Sequence, residues 1–82
     1  MWRLDVGREI ERQLSRLPTR DHARILAALD ALSANPIAGN MRKLDDGRYR
    51  LRVGAYRVFY SLDRANQVIR ISDVVRRTST TY

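Results

Sequence analysis

Arginines recur at every second position in part of the C-terminal half of the chain. Arg48, Arg50 and Arg52 alternate with apolar residues, and Arg57 follows five residues after Arg52. Because successive side chains of a β-strand point to opposite faces, this alternation predicts that the arginines share one face of a sheet. A guanidinium group offers paired N–H donors that fit a phosphate, so the shared face is a candidate anion site.

A two-residue turn at Gly54-Ala55 would fix how the two arginine-bearing strands pair. A type II′ turn needs a positive φ at its first central residue, and glycine supplies it at no steric cost. The predicted register places Arg52 directly opposite Arg57. Like charges opposed across a hairpin are unfavourable by roughly 0.2–1 kcal/mol, which favours a binding role over an ordinary solvated face.

The last predicted strand, residues 68–75, extends the same surface. Ile69 and Ile71 are suited to the core, so simple alternation places Arg70 and Arg76 on the arginine side. The polar residues 78–82 end in Tyr82, and an aromatic ring beside cations suits stacking on a nucleobase.

The net charge of the chain is concentrated in the same region. The sequence holds 16 basic and 9 acidic residues, a net charge of +7, and residues 48–82 carry eight arginines against two aspartates. Such a local excess favours RNA, DNA or an acidic protein as partner. With no cysteine and a single histidine, we expect neither a metal nor a cofactor, and the absence of cysteine fits a cytoplasmic protein.

The remaining elements predict the fold. Residues 2–6 alternate like a strand, an apolar stripe over residues 8–17 predicts a helix, and a second helix follows Thr19 as its N-cap and ends at Asn35-Pro36. Residues 37–47 are interpreted as a loop. We therefore predict one α+β domain over residues 1–82, in which the N-terminal strand and a helical hairpin pack on a mostly antiparallel sheet of about four strands. No segment is long and apolar enough to suggest a membrane partner.

Residues 43–60, which read KLDDGRYRLRVGAYRVFY, resemble the RelE/ParE toxin superfamily, most recognisably from Tyr49 to Tyr60. The resemblance extends over essentially the whole chain and implies a RelE-like fold with a neutralising antitoxin as partner. In this superfamily, the RelE branch cleaves mRNA in the ribosomal A site, whereas the ParE branch poisons DNA gyrase.

The resemblance to the RelE branch also implies site residues. Its catalytic set corresponds here to Arg50, Arg52, Arg57, Arg76 and Tyr82, with Arg77 in place of Arg76 if the tail is shifted by one residue. Further RNA contacts are expected from Lys43, Arg48, Arg70 and Arg77. Arginine stays protonated and cannot readily act as a general base. The base is therefore either Tyr82, with its pKa lowered by the cations around it, or a group of the ribosomal RNA.

The function implied is that of a ribosome-dependent endoribonuclease toxin that inhibits translation. Its expected partners are mRNA, ribosomal RNA and a cognate antitoxin, with operator DNA reached only through that antitoxin. One alternative is a gyrase inhibitor of the ParE type. The other is a non-catalytic module that acts with its antitoxin in autoregulation of the operon.

Overall fold

The protein is described by a computed structural model that covers residues 1–37 and 41–76. Two helices and five strands follow one another in the order β1, α1, α2, β2, β3, β4, β5. The bounds of these elements are Arg3–Val6 (β1), Arg8–Ser15 (α1), Thr19–Ala34 (α2), Met41–Asp45 (β2), Arg48–Val53 (β3), Tyr56–Asp63 (β4) and Val68–Arg76 (β5).

The five strands form one sheet in the order β1-β5-β4-β3-β2. The three pairings among β2, β3, β4 and β5 are antiparallel, whereas β1 lies parallel to β5. The α+β class and the mostly antiparallel sheet are thus confirmed, with five strands instead of about four. The additional strand is β2, which lies within the stretch interpreted as a loop. It is an edge strand with four of its five residues exposed, so it lacks the apolar alternation that marks a half-buried strand.

The core lies between the two helices and one face of the sheet. Helix α1 packs against β5, and α2 packs against β1 and β3. The buried residues that form this core cluster come from α1, α2 and the three central strands: Ile10, Leu14, Ile25, Leu29, Leu32, Tyr49, Leu51, Tyr56, Val58, Tyr60, Ile69 and Ile71. The period-two pattern of β3 and β4 therefore separates a core face from an outer face, as the sequence predicts.

The start of α2 differs from the prediction by one residue. Pro18, not Thr19, is the N-cap, and no side chain caps the helix. The carbonyl oxygen of Pro18 instead accepts the backbone N–H of His22 at 2.9 Å. Proline fixes its own φ, here −53°, and that preorganised geometry lets the helix begin immediately after it.

A β-bulge in β5 changes which residues reach each face of the sheet. Phe59 pairs with Asp73 and Tyr60 pairs with Ile71, so Ser72 has no partner across from it. The Ser72 hydroxyl donates a hydrogen bond to the carbonyl oxygen of Phe59 at 3.0 Å. An extra residue reverses the alternation that follows it. Simple alternation along β5 therefore predicts the correct face of the sheet for Arg70 but the wrong face for the residues after Ser72.

Candidate nucleic-acid interface

The strands β2, β3, β4 and β5 each bring at least one arginine to the face of the sheet opposite the helices. Residues directly opposite each other in an antiparallel pair point to the same side. Arg42 lies opposite Arg50, Arg52 lies opposite Arg57, and Ser61 lies opposite both Arg48 and Arg70. We call this surface the arginine face, and its members are Arg42, Arg48, Arg50, Arg52, Arg57 and Arg70.

The turn between β3 and β4 sets the centre of this face. Gly54 has a φ of +57°, and Ala55 is not among the residues with positive φ, as a type II′ turn requires. The observed pairs, including Arg52 with Arg57 and Tyr49 with Tyr60, match the predicted register. The opposition of two guanidinium groups is therefore a property of the folded chain.

Within the described residues, ion pairs hold two members of the arginine face, Arg48 and Arg70, which we call its rim; Arg42, on the edge strand β2, has none. Arg48 lies 3.1 Å from Asp45, and Arg70 lies 3.6 Å from Asp5 and 3.4 Å from Asp63. The pKa of Asp63 is lowered, first by hydrogen bonds from Asn66 and further by Arg70. These contacts tie the rim arginines to neighbouring carboxylates.

The central arginines are Arg50, Arg52 and Arg57. Within residues 1–37 and 41–76, no carboxylate oxygen lies within 4.0 Å of their guanidinium nitrogens. Arg50 and Arg57 are half-buried, and Arg52 is exposed. Guanidinium groups that no nearby carboxylate neutralises are well suited to bind phosphates.

Arg42, Phe59 and Asp73 also lie on this face, and none of the three was identified from the sequence as a site residue. Phe59 lies opposite Arg50, and Asp73 lies on the other side of Phe59. A cavity of 330 Å³ opens beside Phe59 and is lined by Leu44, Arg48, Tyr49, Phe59, Tyr60, Ser61 and Ser72. The alternation of Phe59 with buried Val58 and Tyr60 could have indicated that its ring lies outside the core.

Arg76 is not on the arginine face, contrary to the prediction from alternation. The bulge at Ser72 places Arg76 opposite Tyr56, on the helix side of the sheet. There it lines a cavity of 370 Å³ with Gln13, Arg16, Leu17, Pro18, Tyr56 and Val74. Tyr56 donates a hydrogen bond to Asp21 at 3.1 Å, and burial together with Asp21 raises its pKa, an effect that Arg76 partly offsets.

The remaining expected site residues are Lys43, Arg77 and Tyr82. Lys43 pairs with Tyr49, so it shares the helix side of the sheet, and its Nζ is 3.8 Å from Asp46. Arg77 and Tyr82 fall outside the described residues. Their roles therefore stay predictions.

The tyrosines of the central strands belong to the core. The rings of Tyr49 and Tyr60 stack with their centroids 5.5 Å apart. The hydroxyl of Tyr60 donates to the carbonyl oxygen of Pro36 at 2.7 Å, and burial raises its pKa to about 12. Such a hydroxyl stays protonated at neutral pH, so Tyr60 is not a candidate general base.

Metal binding and membrane insertion would require features of a different kind. Across residues 1–37 and 41–76, histidine and carboxylate side chains form no group of three that could hold a metal ion. In the same part of the chain, neither helix has the length and hydropathy needed to cross a membrane.

Two helices lie on one side of a mostly antiparallel sheet and arginines cluster on the other side, so the described part of the chain is a small α+β fold with one cationic face. The chain belongs to the family described as ParE toxin of type II toxin-antitoxin system, parDE, whose model matches residues 2–80. It is thus a toxin of the RelE/ParE superfamily, and the resemblance found in its sequence is confirmed. Among curated protein sequences, none matches the chain.

Solved structures of RelE toxins share the fold. The chain is 28% identical to the toxin in an archaeal RelE-RelB complex from Pyrococcus horikoshii, with a TM-score of 0.88 over 96% of this chain and 98% of that one. It is 26% identical to a chain of the RelBE2 toxin-antitoxin complex from Mycobacterium tuberculosis, with a TM-score of 0.79 over 93% and 98% of the two chains. The isolated RelE toxin of E. coli, at 14% identity and a TM-score of 0.83 over 98% of this chain and 88% of that one, supports the fold alone.

Proposed function

We propose that this toxin is a ribosome-dependent endoribonuclease that cleaves mRNA and thereby inhibits translation. The observation that supports this most directly is the group formed by Arg50, Arg52 and Arg57, which the register brings together without a neutralising carboxylate among the described residues. This group has the charge and the paired donors needed to hold a backbone phosphate and to stabilise the additional charge of a pentacoordinate phosphorus. The site of action would be the cytoplasm, where translation takes place.

The proposed reaction is an attack of a ribose 2′-OH on the adjacent phosphorus. A bond forms between O2′ and phosphorus, and the bond between phosphorus and O5′ breaks. The 2′-OH proton passes to a base, and the leaving O5′ receives a proton. The products are a 2′,3′-cyclic phosphate and a 5′-OH. In this scheme Arg50 and Arg52 orient the phosphate, and Arg57 stabilises the developing charge.

The proton acceptor is not an arginine, because guanidinium stays protonated. It is also not Tyr60, whose pKa is raised to about 12 by burial. Tyr82 and the ribosomal RNA stay the two proposed sources of the base. Because Arg76 lies on the helix side of the sheet, Arg77 is the better candidate for the additional active-site cation that the superfamily resemblance implies.

We propose an antitoxin as the protein partner, in keeping with the toxin-antitoxin complexes among the similar structures. An acidic segment that covers the arginine face would exclude RNA from it, and operator DNA would be reached only through the antitoxin. Charge attraction between the two proteins makes association fast and sensitive to salt. The association rate should therefore fall across an ionic-strength series. A rate that is constant from low to high salt would show that the arginine face takes no part in capture.

The enzymatic proposal is tested by primer extension of mRNA on programmed ribosomes treated with the toxin. Wild-type protein should produce discrete cuts in the A-site codon. Arg57→Ala should lower the cleavage rate by about 10²–10³, the usual cost of removing one donor to a developing charge. Arg20→Ala, which removes an exposed arginine from α2, should cleave like wild type. Intact mRNA with wild-type toxin would refute the proposal.

A second candidate function is inhibition of DNA gyrase. It is favoured by one observation, the match of residues 2–80 to the family described as ParE toxin. The arginine face would then contact gyrase or its DNA. This function predicts that purified toxin blocks supercoiling by gyrase and induces DNA damage signalling while mRNA stays whole.

A further inference from the structure

Phe59 differs from the other aromatic residues of the central strands. Tyr49, Tyr56 and Tyr60 are all buried in the core, whereas Phe59 points to the outer face. Its ring is half-buried and is not among the residues that pack against the core. Core packing therefore gives no reason for a large apolar side chain at this position, and a partly exposed aromatic ring at a charged surface is a common feature of binding sites.

The surroundings of Phe59 suit a flat, anionic ligand. Arg50 lies across from it on β3, Arg57 lies two residues before it on β4, and Arg48 lines the cavity beside it. The 330 Å³ cavity lies at the lower end of the usual range for small-molecule sites, about 300–1,000 Å³. The ring is thus a hydrophobic floor with arginines on the β3 side and one carboxylate, Asp73, opposite it on β5.

The bulge of β5 accounts for the space beside the ring. Ser72 is the extra residue, and its hydroxyl is directed back to the carbonyl oxygen of Phe59 at 3.0 Å. Together with Ser61, it lines the cavity with small side chains. Two serine hydroxyls at the wall of such a cavity can also exchange hydrogen bonds with the polar edge of a ring.

We propose that Phe59 is a stacking platform for one unpaired nucleobase of the mRNA, while the neighbouring arginines hold the adjoining phosphates. The inference rests on the proposed function and adds a base-binding position to it. Aromatic side chains in a cationic groove bind single-stranded RNA in this way, and every base has a face that can stack. The concentration of arginines around Phe59 favours this occupant over an apolar anchor of a protein partner.

Four variants on programmed ribosomes test the stacking role. Alanine substitution of a stacking aromatic costs about 5- to 150-fold in affinity, so Phe59→Ala should raise the toxin concentration for half-maximal cleavage by that factor. Phe59→Leu, which keeps an apolar side chain without a π-face, should show a similar loss, whereas Phe59→Tyr should behave like wild type. Val75→Ala is the matched control, since Val75 is an exposed apolar residue of β5 opposite Arg57 that does not line the cavity.

An mRNA with an abasic site identifies the stacked base. The abasic site is placed at each position of the A-site codon in turn. At one position it should reproduce the loss seen with Phe59→Ala when wild-type toxin is used, and it should add nothing when Phe59→Ala is used. Unfolding in urea and binding of the antitoxin should be the same for Phe59→Ala and wild type.

The outcomes separate this inference from the function on which it rests. Wild-type toxin that leaves mRNA intact overturns both. Wild-type cleavage with an unchanged Phe59→Ala variant, or a fully active Phe59→Leu variant, overturns the stacking role alone. A Phe59→Ala variant that cleaves normally but binds the antitoxin more weakly would show that the ring is a protein anchor.

Discussion

The opposition of Arg52 and Arg57 predicts that a substitution at the centre of the arginine face makes the protein more stable. The two residues are direct cross-strand partners, Arg52 is exposed, and no carboxylate in the described part of the chain pairs with either. Opposed like charges cost about 0.2–1 kcal/mol. Arg52→Gln should therefore raise the free energy of unfolding by that amount. For a chain of this size, 1 kcal/mol corresponds to about 4–8 °C, so Tm should rise by about 1–8 °C.

Arg48→Gln is the matched control on the same strand and the same face. Arg48 is also exposed, but it faces Ser61 instead of an arginine and lies 3.1 Å from Asp45. Its substitution removes an exposed ion pair, which contributes about 0–1 kcal/mol. The expected change in the free energy of unfolding is therefore zero or negative. Both variants replace an arginine by a glutamine. If their changes in the free energy of unfolding have opposite signs, the difference must therefore come from the surroundings of the two positions.

Equilibrium unfolding in urea at low and high salt measures both changes. The gain from Arg52→Gln should shrink as salt is raised, because the Debye length falls from about 10 Å at 0.1 M to about 3 Å at 1 M. The same variant should cleave mRNA more slowly under the proposed function. If Arg52→Gln lowers the stability as much as Arg48→Gln does, the opposed charges of Arg52 and Arg57 do not destabilise the fold.

Three further predictions concern the turn and the ionisable groups. Gly54→Ala should lower the free energy of unfolding in urea by about 1–2 kcal/mol, because Gly54 has a φ of +57°. The control is Gly7→Ala, at a φ of −68° and with nothing within 4 Å of the added Cβ, which should change that free energy by less than about 0.5 kcal/mol. Equal losses for the two variants would contradict this prediction. Tyr60 has a pKa raised to about 12 in the folded state, so its contribution to the free energy of unfolding is complete below about pH 10 and is lost as the pH rises towards 12. In alkaline unfolding experiments, Tyr60→Phe should make the decline of stability with pH less steep. An unchanged slope would exclude Tyr60 as the cause of the decline. Asp63 has a lowered pKa because Asn66 donates hydrogen bonds to its carboxylate. Its contribution to the free energy of unfolding is therefore present at neutral pH and is lost as the pH falls through that lowered value. Asn66→Ala should raise the pKa of Asp63 in an NMR titration, and an unchanged pKa would contradict the assigned cause.

Alternation and turn type, which depend only on neighbouring residues, are sufficient to predict how β3 pairs with β4. The alternation in β3 and β4, together with a glycine suited to a type II′ turn, determines which residues face each other, and the observed register agrees pair by pair. A two-residue turn allows little freedom in the register, and a one-residue slip would expose Leu51 and Val58, both buried in the core. The part of the site formed by these two strands was therefore predictable from sequence.

The bulge at Ser72 and the edge strand β2 were not predictable by the same rules. No glycine or proline marks the bulge, and the hydrogen bond from Ser72 to Phe59 that accompanies it joins two strands, so it depends on tertiary structure. Its effect is large because it moves Arg76 to the helix side and brings Val74 against the core. Strand β2 pairs only with β3 and exposes most of its side chains, so no buried face left a pattern in its sequence.

The rim and the centre of the arginine face should bind an anion with different strengths. A phosphate that binds Arg70 must compete with Asp5 and Asp63, whereas a phosphate that binds Arg57 displaces only water and mobile counterions. An anion that accepts hydrogen bonds from both Arg52 and Arg57 would also offset their mutual repulsion. Part of the free energy that this repulsion costs the free protein would therefore be regained on binding. The centre of the face should therefore bind more strongly than its rim, although both carry the same side chain. Under the proposed function, an antitoxin would gain most by placing its acidic groups at that same centre, so inhibition and RNA binding would compete for one surface.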